Sequence, residues 1–310
     1  MILVGEVHSG LLHHSHGLSA DRTRSLLSLA PGEQVRQSHR PIARTESPPL
    51  LSGVDCDLPM GKRTGRGIGT VLARAVITGG HVLQGSGFAR ITPATEPRRL
   101  PWPHYLSRPG SIESLAGPPG DGLIDGMLAE TPPHADHLRL AGISDRTMNL
   151  VQRHDDLDHR APFRAPRTRL SWVADTRDAM TPGLHLTVRN QTERTLLIRQ
   201  PGATLEAVTT LCEDIAYHDW LLSTVIDMVS RARIGGNGRT DAVSRLEPIV
   251  DHLLHLWMPA AHCDEAMAQR WQNLEMAPGF SRQWTALVNR IRDQLTLATL
   301  AAAGPAPPRI

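Results

Sequence analysis

Apolar and polar positions alternate near the start of the chain and recur at helical spacing toward its end. Residues 2–13 carry a strand pattern. Ser19 precedes Leu26, Leu27 and Leu29 as the N-cap of a short helix that Pro31-Gly32 stops. Residues 35–43 read as a strand that Pro41 confines to a sheet edge. Two β-rich runs, 70–78 and 81–84, flank Gly79-Gly80, which is two-residue hairpin chemistry.

Between residues 93 and 133 prolines recur so often that the segment predicts neither a central strand nor a long helix, with one short helix around 123–128. Ser144 is placed to cap a helix through Arg153. The runs 169–173, 184–188 and 195–198 then read as an antiparallel meander joined to the first sheet. From Leu205 the period is helical. Val208, Cys212, Ile215, Leu222, Ile226 and Val229 share one stripe, ending near Gly235-Gly236. Pro248 starts or kinks a second helix, a third spans 264–274, and a fourth runs from Ser281 into the alanines before Gly304. These patterns predict an α+β fold: a β-rich antiparallel part over 1–200, with a Pro-rich connection at about 93–133, an antiparallel helical bundle over 201–303, and a frayed tail at 304–310.

At 310 residues and 40% apolar, the chain can build a substantial core of one large or two ordinary domains. Basic and acidic residues balance, 33 against 31, and aromatics are 4%. That excludes the basic excess and stacking surfaces of a nucleic-acid binder. No apolar run approaches the ~18 residues of a membrane span. The N-terminus has no basic region before its apolar run and meets an acid at Glu6, so it reads as a strand and not as a signal peptide. Cys56, Cys212 and Cys263 are widely spaced and form no CxxC pair, which predicts free thiols and a cytoplasmic setting.

Chemistry is suggested at few places. Lys62 and Arg63 precede the glycine-rich run 65–69 with Arg66, a candidate anion nest, although the run precedes a strand and reads first as a loop. Lys62 is the only lysine, so abundant arginine does not by itself signal phosphate binding. Asp214 and His218 repeat the i, i+4 spacing of Asp251 and His255, with His252 beside them. On a wheel of about 100° per residue, His218 and Asp219 fall on the buried face, Asp251 and His255 toward solvent, and Trp220 about 140° from the apolar stripe, a candidate member of a partner-binding patch. His218 and Asp219 therefore predict a structural hydrogen-bond network, with Asp219 taking a donor from another element. The alternative is a metal-dependent or acid/base site of His218, Asp219 and His252. The clusters at 154–159 and at His13, His14 and His16 read as polar surface; no metal or cofactor is assigned.

Taken together, residues 1–7, 54–56, 74–85, 99–106, 211–220, 251–260 and 279–284 resemble an uncharacterised conserved actinobacterial protein family whose members are encoded beside a variant P-loop protein. The resemblance spans nearly the whole chain. It implies a bacterial cytoplasmic setting and a P-loop NTPase-like protein partner, and supplies no catalytic residue. The expectation is an interaction or regulatory subunit of a multiprotein system. A hydrolase built on His218 and Asp219 is the alternative, and a phosphoanion sensor using Lys62, Arg63 and Arg66 is a third reading.

Overall fold

A computed structural model describes residues 1–61, 63–129, 137–178, 181–232 and 239–302. Lys62, Pro132-Pro133, the Gly235-Gly236 stop and the tail 304–310 lie outside the described residues. One sheet contains β1 (Ile2–Leu11), β2 (Arg36–Ser38), β3 (Arg44–Glu46), β4 (Leu50–Met60), β5 (Arg63–Thr78), β6 (Val82–Pro93), β7 (Ser111–Ser114), β8 (Thr168–Asp175), β9 (Gly183–Val188) and β10 (Glu193–Arg199). The helices are α1 (Ala20–Leu26), α2 (Trp102–Leu106), α3 (Asp121–Leu128), α4 (Leu140–Gln152), α5 (Leu205–Arg231), α6 (Arg239–His252), α7 (Glu265–Met276) and α8 (Phe280–Ala302).

β1 lies inside the sheet, antiparallel to β6 on one side and β8 on the other. Its two faces enter different cores. Leu3, Val7 and Leu11 pack with α5 and the helices beyond it, including Leu246, Trp271 and Ile291. Ile2 and Val4 pack with Leu123 of α3 and with Leu140 and Ile143 of α4. Helices thus cover both faces of β1, and the C-terminal helices share a core with the sheet. Each of these fully buried aliphatic side chains contributes about 1.5–3 kcal/mol.

The α+β class holds, and the sheet is mixed because two pairings are parallel, β8 with β10 and β6 with β7. The expected meander becomes the order β8-β10-β9. β10 turns Arg194, Leu196 and Ile198 toward the interior, all buried, while His185, Thr187 and Val188 of β9 are exposed. The more apolar strand takes the inner position and its hairpin partner the edge.

Other expectations shift for local reasons. The hairpin forms, with a loop of three residues rather than the expected two: Thr78 pairs with Val82 across Gly79, Gly80 and His81, both glycines at positive φ of 60° and 70°. The glycine-rich run 65–69 is not a loop: it is part of β5, which pairs with β4 over eleven positions. Gly69 is required there, since a Cβ would lie 2.0 Å from Ser111 O. That close approach admits β7 into the fork between β5 and β6, so the Pro-rich segment does supply a central strand between its prolines. The strand expected at 35–43 shrinks to β2, with Arg40-Pro41 cis. Ser144 is not a cap. α4 starts at Leu140, and the Ser144 hydroxyl bonds Leu140 O at 3.1 Å and His8 Nδ1 at 2.9 Å. Ser19 caps its helix as expected, accepting from Arg22 N–H, and Asp264 caps α7 in the same way, accepting from Met267 N–H. No described helix is long and apolar enough to cross a membrane.

Candidate functional site

α5 is the longest described helix, started by Thr204, whose hydroxyl accepts from Ala207 N–H. His218 and Asp219 are both buried on it, as the wheel predicts, but they face different neighbours. His218 Nδ1 donates to Asp214 O at 2.8 Å, which leaves Nε2 to accept from Met258 N–H at 3.3 Å. The ring is therefore neutral, and burial pushes its pKa down against the pull of Asp214. Tyr217, Trp257 and Trp271 surround it, with ring centroids 4.7, 5.0 and 5.2 Å away. Asp214 is also buried; its Oδ2 accepts from Ala260 N–H at 2.8 Å. These bonds tie α5 to the segment 257–260.

Asp219 instead turns to the sheet. Arg194 Nε on β10 donates to its Oδ1 at 3.1 Å, and Arg194 Nη2 reaches Ser223 Oγ at 3.1 Å. Burial pushes the Asp219 carboxyl up and Arg194 only partly offsets it. The expected donor from another element is thus an arginine. Trp220 corrects the wheel: it is fully buried in its own chain's core, donating Nε1–H to Pro166 O at 2.9 Å, so it belongs to no exposed patch. The sheet and the segment before β8 cover the side of α5 that a bundle alone would leave open.

His252 is not brought to this pair. Its ring packs 5.0 Å from His81, beside the β5–β6 turn, with His255 6.3 Å from the same ring. Burial first, then these histidines, push His81 down to about 4. Of the anion candidates, Arg66 is held by Asp55 at 2.6 Å and Asp57 at 3.6 Å. Arg63 is exposed at the start of β5, and Lys62 lies outside the described residues. The two histidine-rich stretches meet: Asp158 accepts from Ser15 N–H at 3.1 Å and its own N–H donates to His14 Nδ1 at 3.1 Å. Among the described residues no group of three His, Cys, Asp or Glu is arranged to hold a metal. The three cysteines are free thiols, two of them buried.

Two features escaped the sequence reading. One is a buried charge network between α5 and β3, β5 and β6. Arg74 forks onto Glu213, Nε to Oε1 at 2.8 Å and Nη2 to Oε2 at 2.7 Å, while Arg44 Nη2 adds a bond of 2.5 Å and Ser86 Oγ donates to Oε1. Glu46 and Glu206 complete it through Arg44, Arg74 and Arg36. Every charge has a partner, so the network reads as structural.

The second is a cleft of about 880 Å³ on the opposite face of the sheet. β1, β8 and β10 floor it, and the β4–β5 turn, the end of α3 and the start of α4 wall it. Alternation along β1 directs Glu6 to this face with Ile2 and Val4. Ser171 lies opposite Glu6 in register, and Arg169 opposite Glu193. Glu6 is 8% exposed and its Oε1 has no hydrogen-bond partner. Arg169 Nε lies 3.4 Å away, itself without a hydrogen bond, while Arg169 Nη2 is held by Glu193 at 2.8 Å. Burial raises the Glu6 pKa to about 7, the Arg169 guanidinium and a side-chain hydrogen bond with Ser171 only partly opposing it. A carboxyl that burial holds near neutrality beside a cleft has the chemistry to donate or accept a hydrogen bond, or to move a proton. No protein-family model, curated protein or solved structure matched the chain.

Proposed function

We propose that this chain is a cytoplasmic regulatory subunit of a multiprotein bacterial system, which reads a small molecule in the Glu6 cleft and passes its state to a protein partner. The observation that carries the reading is Glu6: a buried carboxyl with an unbonded oxygen, on the floor of a cleft large enough for a small ligand. Holding such a group costs folding stability, the usual mark of a group kept for function. The free thiols support the cytoplasmic setting. The partner is the P-loop NTPase-like protein that the resemblance implies. Leu51, Trp102 and Leu106, 43%, 37% and 49% exposed, provide apolar surface near the edge strand β4 for it.

The test is a ligand screen by NMR, with small acids, phosphate esters, amines and sugars as separate classes, followed by partner binding with and without the hit. The expected result is a hit that perturbs Glu6, Ser171 and Thr195 and changes the affinity for the co-expressed partner. A screen in which no class perturbs those residues overturns the reading.

A further inference from the structure

The first four N–H groups of a helix have no partner within it, and here they belong to Arg139, Leu140, Ala141 and Gly142. Arg139 is the N-cap and makes no side-chain cap bond. All four residues line the Glu6 cleft. α4 is thirteen residues long, so its dipole places a fractional positive charge at this end. Arg63, on the same cleft, brings a second exposed guanidinium from the start of β5, beside the Thr64 hydroxyl.

A helix start alone would be ordinary. The independent observation is Glu6, more than nine-tenths buried and unbonded at Oε1, with the unbonded Nε–H of Arg169 3.4 Å from it. Glu193, the other carboxylate of the floor, is already engaged by Arg169 at 2.8 Å. The cleft therefore offers backbone N–H groups and guanidiniums, and a carboxyl that can itself donate.

Resting on the reading of this cleft as a ligand site, we propose that the ligand is a small molecule bearing an oxyanion, a phosphoryl or carboxylate group. The oxyanion is seated on the free N–H groups of α4 between Arg63 and Arg139. Backbone amides at a helix start and arginine forks are the two protein groups best matched to such oxygens. The protonated Glu6 carboxyl donates to the same ligand from the floor. Arg66, of the original basic run, takes no part because Asp55 and Asp57 hold it.

The experiment titrates the amide-labelled full chain with sodium sulfate, with malonate and with ethylammonium, each at constant ionic strength with chloride as the balancing anion. Saturable shifts at Ala141 and Gly142 are expected for one or both anions. Sulfate alone assigns a phosphoryl ligand, malonate alone a carboxylate. Arg63→Gln and Arg139→Gln change exposed side chains that leave the fold in place, and each is expected to weaken binding about tenfold, the loss of one charge-assisted contact. Absent shifts at α4, anion binding unchanged in both variants, or ethylammonium saturating the same residues overturns the proposal. If an amine or a sugar from the screen perturbs Glu6 and Ser171 while both anions do not, only the oxyanion proposal falls and the ligand cleft stands. If nothing perturbs the cleft, both fall.

Discussion

Arg74 and Glu213 are joined by a two-bonded fork at 2.8 and 2.7 Å, both side chains essentially out of solvent. Removing one partner strands the other's charge. Glu213→Ala should cost about 3–5 kcal/mol in urea unfolding. Arg74→Lys should also be damaging, because an ammonium cannot reproduce the fork. A loss within experimental error for Glu213→Ala would mean that the network carries no weight.

The same network sets an acid limit. Burial would raise the Glu213 and Glu46 carboxyls, but Arg74 and Arg44 together outweigh it and hold both below the ordinary value of 4.5. The folded state then binds these protons more weakly than the unfolded chain. The contribution is fully present above pH 4.5 and is lost as pH falls through the lowered values. Acid titration followed by circular dichroism should show an unfolding step below the ordinary carboxylate range, moved to higher pH in Arg44→Gln.

Glu6 works in the opposite direction. Its folded pKa is raised from 4.5 to about 7, so its contribution is present below 4.5 and is lost as pH rises through 7. Glu6→Gln cannot ionise and should be more stable than the wild type by about 3 kcal/mol at about pH 8, with the gain vanishing toward acid pH. Thermal unfolding at the two ends of this range checks it. A variant less stable than the wild type at alkaline pH would show that Glu6 is held as a paired anion.

Asp219 and His218 separate structural from chemical use. Asp219→Ala strands Arg194 and should cost about 3–5 kcal/mol, Asp219→Asn less. His218→Ala leaves Met258 N–H without its partner, at about 1–3 kcal/mol for a buried group left unpaired, while Asp214 O keeps its helix bond. Thermal unfolding with metal analysis of the wild type decides between the uses. Stoichiometric metal with melting temperatures unmoved by either substitution would point to a chemical site.

Much of this fold was legible in local pattern. The hairpin around Gly79-Gly80 and the Ser19 cap depend on neighbours in sequence and formed, the turn one residue longer than expected, and the stripe of α5 is buried except at Ile226. What escaped depends on distant pairing. β7 could not be read between prolines because its place is made by Gly69, more than forty residues earlier. Trp220 points off the helical stripe, yet the sheet and Pro166 cover it. Glu6 and Arg74 did carry a signal: each is a charge inside an otherwise apolar strand run, the pattern of a strand covered on both faces with a partner waiting. Which charge is fully paired and which keeps an unbonded oxygen is a matter of geometry across the sheet, beyond any one strand's sequence.

The central claim is that Glu6 is a proton-holding group in a ligand cleft, and its own titration tests that most directly. The side-chain carboxyl carbon of Glu6 can be followed by NMR from about pH 4 to about pH 9, its signal assigned by its loss in Glu6→Gln. The account predicts a midpoint about 7 that moves when the cleft is saturated with the ligand found by the screen. A midpoint at the ordinary 4.5, unmoved by that ligand, would contradict it.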